Sequence, residues 1–191
     1  MNLKKIGLFA IAMIMTLFSF QPHSFVAEEM EWVKKAPMPT ARNNAESLVY
    51  DGKVYVYGGT TGMDYMSRFE VYDPSNDEWK TLSKSSYPRY NAAFVENNGR
   101  FYALCGYFNK GETNIVEVFD PASNRWSTTS SMPRSRAFSS AVSLDDTIYS
   151  FGGVENDEYT SSVYSFNTQL APGIRSSLGL QTKKLQRQDQ T

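Results

Sequence analysis

Three arginines, Arg42, Arg89 and Arg136, stand 47 residues apart. A guanidinium carries a planar fork of donors that grips a carboxylate through two parallel hydrogen bonds. Three of them on one edge of a scaffold would suit an acidic ligand, such as an acidic sugar or a peptide carboxylate. The alternative is that each pairs with a carbonyl or carboxylate inside its own structural unit, and recurrence in every unit is what such a role predicts. Elsewhere Asp64, Tyr65, Glu112, Asp157, Glu158 and Tyr159 could offer acid, base or stacking contacts, or be solvated loop residues. Other chemistry is thinly represented, since His23 is the only histidine and Cys105 the only cysteine.

The N-terminus decides how much of that inventory a mature chain keeps. Lys4 and Lys5 precede an apolar run from Ile6 to Phe20, followed by a polar breaker, Gln21-Pro22-His23-Ser24, and then Phe25-Val26-Ala27. The run is short for a membrane-spanning helix, and the pattern is that of a secretory signal over residues 1–27, or of an anchor if uncleaved. Removal of that segment takes His23 with it, which excludes His-dependent triads and His-ligated metal sites. Cys105 alone forms no intramolecular disulfide and reads as a small buried apolar residue. With net charge −1 and a pI near 5.9, the chain has no electrostatic footprint for nucleic acid. No cofactor is implied, and no membrane contact unless the signal stays attached.

The elements that must position these residues follow from self-similarity. Trp32, Trp79 and Trp126 share the arginines' 47-residue offset, as do Tyr55, Tyr102 and Tyr149, and Gly59, Gly106 and Gly153. Asp51-Gly52, Asn98-Gly99 and Asp145-Asp146 recur in the same register, and so do Asp73-Pro74 and Asp120-Pro121. In the first unit, β-rich runs at about 42–50 and 53–58 flank Asp51-Gly52, a strong signal for a tight hairpin whose turn needs positive φ. A third run at 68–72 ends in the turn cluster Asp73-Pro74-Ser75-Asn76-Asp77, and Trp79 begins a fourth. The prediction is an all-β chain of four-stranded antiparallel meanders. A phosphate-loop reading of Tyr55-Val56-Tyr57-Gly58-Gly59 has little support, because no helix follows the glycines.

The order arginine, hairpin turn, Tyr-x-x-Gly-Gly, Val-Tyr-Asp-Pro and tryptophan resembles the kelch repeat, over roughly residues 30–168. The resemblance implies that each unit is one blade of a β-propeller, with units of about 38–84, 85–131 and 132–168 inside a partial propeller spanning 28–168. Tryptophans and tyrosines would fill the space between neighbouring blades. In kelch proteins that bind ligands at this face, arginines at this place are often used, which the resemblance carries to Arg42, Arg89 and Arg136. Two departures stand out: Cys105 replaces the first glycine of the second unit, and Ser165-Phe166-Asn167-Thr168 replaces Val-Tyr-Asp-Pro.

The register fails after Thr168, where Gly173 stands at the place of the next tryptophan and residues 169–191 form a polar tail expected to be disordered. Propellers usually close with about four to eight blades. The reading is therefore a truncated or frame-shifted longer propeller, a partial propeller that self-associates with another chain, or an open array, and the abrupt loss of register favours the first. Glu31-Trp32-Val33-Lys34 aligns with a fourth strand and could complete the third blade.

Function should sit on the edge carrying the varied 2–3 loops, 60–67, 107–114 and 154–161, because recognition concentrates on varied loops held by a rigid scaffold. The expected function is a secreted binding module for a protein or glycan. The alternatives are a sugar-modifying enzyme resembling sialic-acid mutarotases, with Glu112 or Asp157 as acid or base beside an arginine, and a non-functional remnant. Among the strand-end glycines, Cys105 at the first position suggests a need for smallness there, so Gly59→Ala is expected to harm folding more than Gly58→Ala.

Overall fold

The structure is a computed structural model, and it describes residues 30–109 and 111–169. The expected export signal, and all but the first residue of the expected tail, lie outside those residues. Two compact units divide the chain, residues 1–34 and 35–191. In the first, the described residues 30–34 form no strand. The second contains every sheet, and its described residues are strands, turns and loops with no helix.

Each sheet grows from a hairpin fixed by its turn. In the first, β1 (Glu46–Tyr50) and β2 (Lys53–Tyr57) pair around Asp51 and Gly52, both at positive φ (47° and 69°) as the mirror-image turn requires. β3 (Phe69–Asp73) and β4 (Glu78–Thr81) complete a meander in the order β1-β2-β3-β4. The second repeats it with β5 (Ala93–Asn97) and β6 (Arg100–Leu104). Next come a short hairpin, β7 (Tyr107–Phe108) with β8 (Gly111–Glu112), and then β9 (Val116–Asp120) and β10 (Arg125–Thr128). The third holds β11 (Ser140–Leu144) and β12 (Thr147–Phe151), a second small hairpin of β13 (Val154–Glu155) and β14 (Glu158–Tyr159), and β15 (Val163–Asn167). Among the described residues this third sheet has three strands, in the order β11-β12-β15, and Glu31–Lys34 form no strand.

The sheets stack as consecutive blades with their first strands innermost, β1 beside β5 and β5 beside β11. Strand alternation sends one set of side chains to the preceding blade and the other to the following one. Between blades 1 and 2 lie Tyr55, Tyr57, Phe69 and Val71 against Ala92, Phe101, Ala103 and Phe119. The ring of Phe69 meets Phe119 edge-on at 4.7 Å between centroids, and Tyr55 meets Phe101 at 4.7 Å. Such geometry adds to area burial because ring edges and faces carry opposite partial charge. Between blades 2 and 3, Ala93, Tyr102, Leu104, Cys105 and Val116 pack on Met132 and Ile148. Burial pushes the Cys105 thiol up to about 11, the behaviour of a packing residue.

Trp79 and Trp126 seal the outer rim. Trp126 packs on Tyr57 of blade 1, Phe69 and Phe119, and its indole N–H donates to the Ser83 carbonyl at 2.8 Å. Trp79 repeats the bond to the Ala36 carbonyl at 2.9 Å. An indole buries a large apolar body here while its single donor stays satisfied.

Candidate functional site

The repeated arginines come first because their surroundings decide what they can do. All three side chains are fully buried. Arg42 pairs with Glu70 on β3 at 2.6 Å and donates to the Val56 and Thr40 carbonyls. Arg89 pairs with Glu117 on β9 and donates to the Cys105 and Ile115 carbonyls, each at 2.9 Å. Glu117 also accepts from the Ser86 N–H at 2.9 Å and the Tyr57 hydroxyl at 3.5 Å, at the seam between the first two blades. Burial pushes the Tyr57 phenol up to about 12.

The third unit keeps the arginine and changes its partners. Tyr164 occupies the place of Glu70 and Glu117 in the repeat, and the Arg136 guanidinium lies 4.8 Å from its ring centroid. Arg136 donates to the Gly152 carbonyl at 2.9 Å and to Ser162 Oγ at 2.6 Å, and faces Glu155 at 3.5 Å. A cation–π contact and a hydroxyl thus stand in for the buried carboxylate.

Backbone bonds explain why the arginine recurs. The Arg89 N–H donates to the Met66 carbonyl and the Arg89 carbonyl accepts from the Gly59 N–H, both 3.0 Å, while its side chain holds blade 2. Arg136 repeats the pattern, with its N–H on the Thr113 carbonyl (3.1 Å) and its carbonyl on the Gly106 N–H (2.8 Å). Each of these arginines therefore staples one blade to the next. Glu70 and Glu117 were absent from the residues singled out in the sequence. Their signal was available: both lie 28 residues after their arginine, in the 47-residue register.

The loop edge gathers the remaining candidates. The crossover before each first strand runs beside the 2–3 loop, with bridges Asn43–Thr60, Tyr90–Tyr107 and Ala137–Val154. That pairing lays four aromatic rings in a row across three blades. Tyr65 lies 5.0 Å from Tyr90, Tyr90 stacks on Tyr107 at 5.4 Å with 15° between planes, and Tyr107 meets Phe138 at 5.6 Å. The tyrosines are half-buried and Phe138 is exposed. Partial burial raises the Tyr90 and Tyr107 phenols, helped at Tyr107 by the charges of Glu112 and Asp157.

Acidic groups flank this row. Glu112 on β8 accepts from the Asp157 N–H at 3.4 Å, which joins the two small hairpins of blades 2 and 3. Asp64 and Tyr65 share an open recess with Met63, Pro88 and Phe108. Asp157, Glu158 and Tyr159 are exposed at the far hairpin. Tyr90, Tyr107 and Phe138 were also missed in the sequence, because their proximity depends on bridges between segments that show no strand alternation. Among the described residues, no cluster of acidic, histidine or cysteine side chains is arranged to hold a metal ion, and no helix is long and apolar enough to cross a membrane.

Known proteins share this architecture in pieces. The chain is 43% identical over 56 residues to Kelch-like protein terF of Aspergillus terreus, covering 27% of this chain and 12% of that protein. It is 41% identical over 60 residues to human Kelch-like protein 34, covering 31% of this chain and 9% of that one. A putative F-box/kelch-repeat protein of Arabidopsis thaliana is 34% identical over 55 residues, with 29% and 14% covered. The aligned parts thus span about a tenth of these relatives. The solved structure of YjhT superposes with a TM-score of 0.65 at 18% identity, covering 73% of this chain and 54% of that one. The Kelch motif matches three times in succession, at residues 41–86, 88–133 and 135–170, and the chain belongs to the Kelch motif family.

Proposed function

We propose that this chain is an interaction module that recognises a protein or glycan ligand with its 2–3 loop edge. The observation that carries the reading is the row Tyr65–Tyr90–Tyr107–Phe138, partly open to solvent and flanked by Asp64, Glu112 and Asp157. Flat aromatic faces offer stacking area at low conformational cost, and carboxylates beside them accept hydrogen bonds from hydroxyl or amide donors. The kelch fold supports an interaction role, and the loops differ from blade to blade while the stapling residues repeat. The same proposal has the module exported, supported by the charged-then-apolar N-terminal segment. The buried arginines serve this surface by holding the blades that present it.

Arrays of immobilised oligosaccharides and of peptides test the reading. The unaltered chain is expected to bind a defined subset, and Tyr90→Ala with Tyr107→Ala is expected to weaken that binding at least tenfold with the β-sheet circular dichroism retained. Unchanged affinity in the folded double variant, or no binding by the unaltered chain, would overturn it.

A further inference from the structure

Among the described residues, blade 3 lacks a fourth strand in a specific way. In blade 2, Trp126 packs on Tyr57, Phe69 and Phe119, and its N–H reaches the Ser83 carbonyl. The residues one repeat later are Leu104, Val116, Phe166 and Ser130. All four line one cavity of about 80 Å³ between blades 2 and 3, beside the β15 edge. The structure thus holds a recess at the place of the fourth-strand tryptophan. Trp32, within Glu31–Lys34, is the tryptophan in that register that sits on no described strand.

The faces tell the same story. Toward a following blade, blade 3 presents Val142, Leu144, Phe151 and Val163, all exposed, at positions that blade 2 buries against its neighbour. Gly153 N–H and the Thr160 carbonyl match the groups that staple Arg89 and Arg136, and among the described residues neither has such a bond. At the other end, Arg42 holds blade 1 with its side chain as Arg89 holds blade 2, while its own N–H and carbonyl make no stapling bond among the described residues. Val49 on the same side is exposed.

The two ends are therefore the two halves of the interface that already forms twice within the chain. We propose that a second copy of this chain docks head to tail. Its Glu31–Lys34 would pair with β15 as the fourth strand of blade 3, Trp32 filling the recess and donating to the Ser130 carbonyl. Arg42 of the same copy would bond Gly153 and Thr160. By the register of β9 with β10, Trp32 faces Phe166 and Val33 faces Ser165. Two such contacts close a ring, doubling the three blade sheets, counted without the two small hairpins, to six, within the range of about four to eight that propellers use.

Chain length favours a second copy over the same chain as the donor of this strand. Ala36 is tied to blade 1 through Asp77 and Trp79, and four residues extend at most ~14 Å. Blade 3 is two sheet spacings away, at about 10 Å each.

Light scattering and disulfide trapping with the full chain test this proposal, which does not rest on the ligand reading. The unaltered chain is expected at twice its monomer mass, and Trp32→Ala should weaken association at least tenfold with the β spectrum intact. Mixing a Val33→Cys chain with a Ser165→Cys chain should trap a covalent pair under mild oxidation, Cys105 being buried. A monomer at every concentration, a ladder of larger species, or a Val33→Cys/Ser165→Cys chain that crosslinks only to itself would overturn it.

Discussion

A fully buried guanidinium is tolerable only when its charge is matched and its donors are occupied. Glu117 does this for Arg89, and further bonds to Ser86 and Tyr57 carry the ion pair across the blade boundary. Removing one partner is costlier than the pair's net worth, because the other charge stays behind in low dielectric. Glu117→Ala is thus expected to cost about 3–5 kcal/mol, read from denaturant midpoints; a loss under about 1 kcal/mol would mean that water reaches Arg89 and the staple is incidental. The arginines were legible in the sequence as a repeat, with two possible jobs. Their partners were legible only in part, since Glu70 and Glu117 keep the register and the third copy, Tyr164, does not. That substitution hid a three-membered pattern behind two members.

At the scale of the element, each second strand passes into its loop through two residues of positive φ. The first lies near +60° and the second near +100°: Gly152 at 57° and Gly153 at 101°, Cys105 at 60° and Gly106 at 96°. The first value is the left-handed region that a residue with a Cβ can enter at modest cost, as Cys105 does, whereas the second is left to glycine. The first position is therefore one of backbone conformation, and smallness alone does not describe it. The contrast expected between Gly59 and Gly58 is blurred by space, because an added Cβ would meet a backbone oxygen at 2.7 Å and 2.6 Å respectively. In blade 3 conformation and space act in the same direction. A Cβ at Gly153 would meet the Ala137 carbonyl at 2.5 Å, and one at Gly152 finds nothing nearer than 3.3 Å. Gly153→Ala is expected to destabilise by about 1–3 kcal/mol more than Gly152→Ala in equilibrium unfolding, and equal losses would contradict this account. The strands were legible from their turns, since Asp51-Gly52 and Asn98-Gly99 fix the register of the hairpins they join. The small hairpins β7–β8 and β13–β14 were not, because two-residue strands are too short to show alternation.

For the whole molecule, stability in a repeat array is roughly a sum of blade terms and nearest-neighbour interfaces. Blade 2 has both faces covered, by the aromatic cluster on one side and by the Cys105–Ile148 cluster on the other. Among the described residues, blade 3 has one covered face, three strands and an apolar surface turned outward. Amide exchange should follow this asymmetry, since opening free energy tracks local burial. The slowest amides are expected on β6 and β9, and the fastest strand amides on β11 and β15. Uniform protection across the sheets would show that the blades unfold as one block and that the interfaces do not set the order. Concentration adds a second reading of the same measurement. Exchange by opening within one chain is independent of how many chains are present, whereas binding of a second copy stabilises by mass action. The amides of β15 that would pair with Glu31–Lys34 should therefore slow as concentration rises, while those of β6 keep their rates.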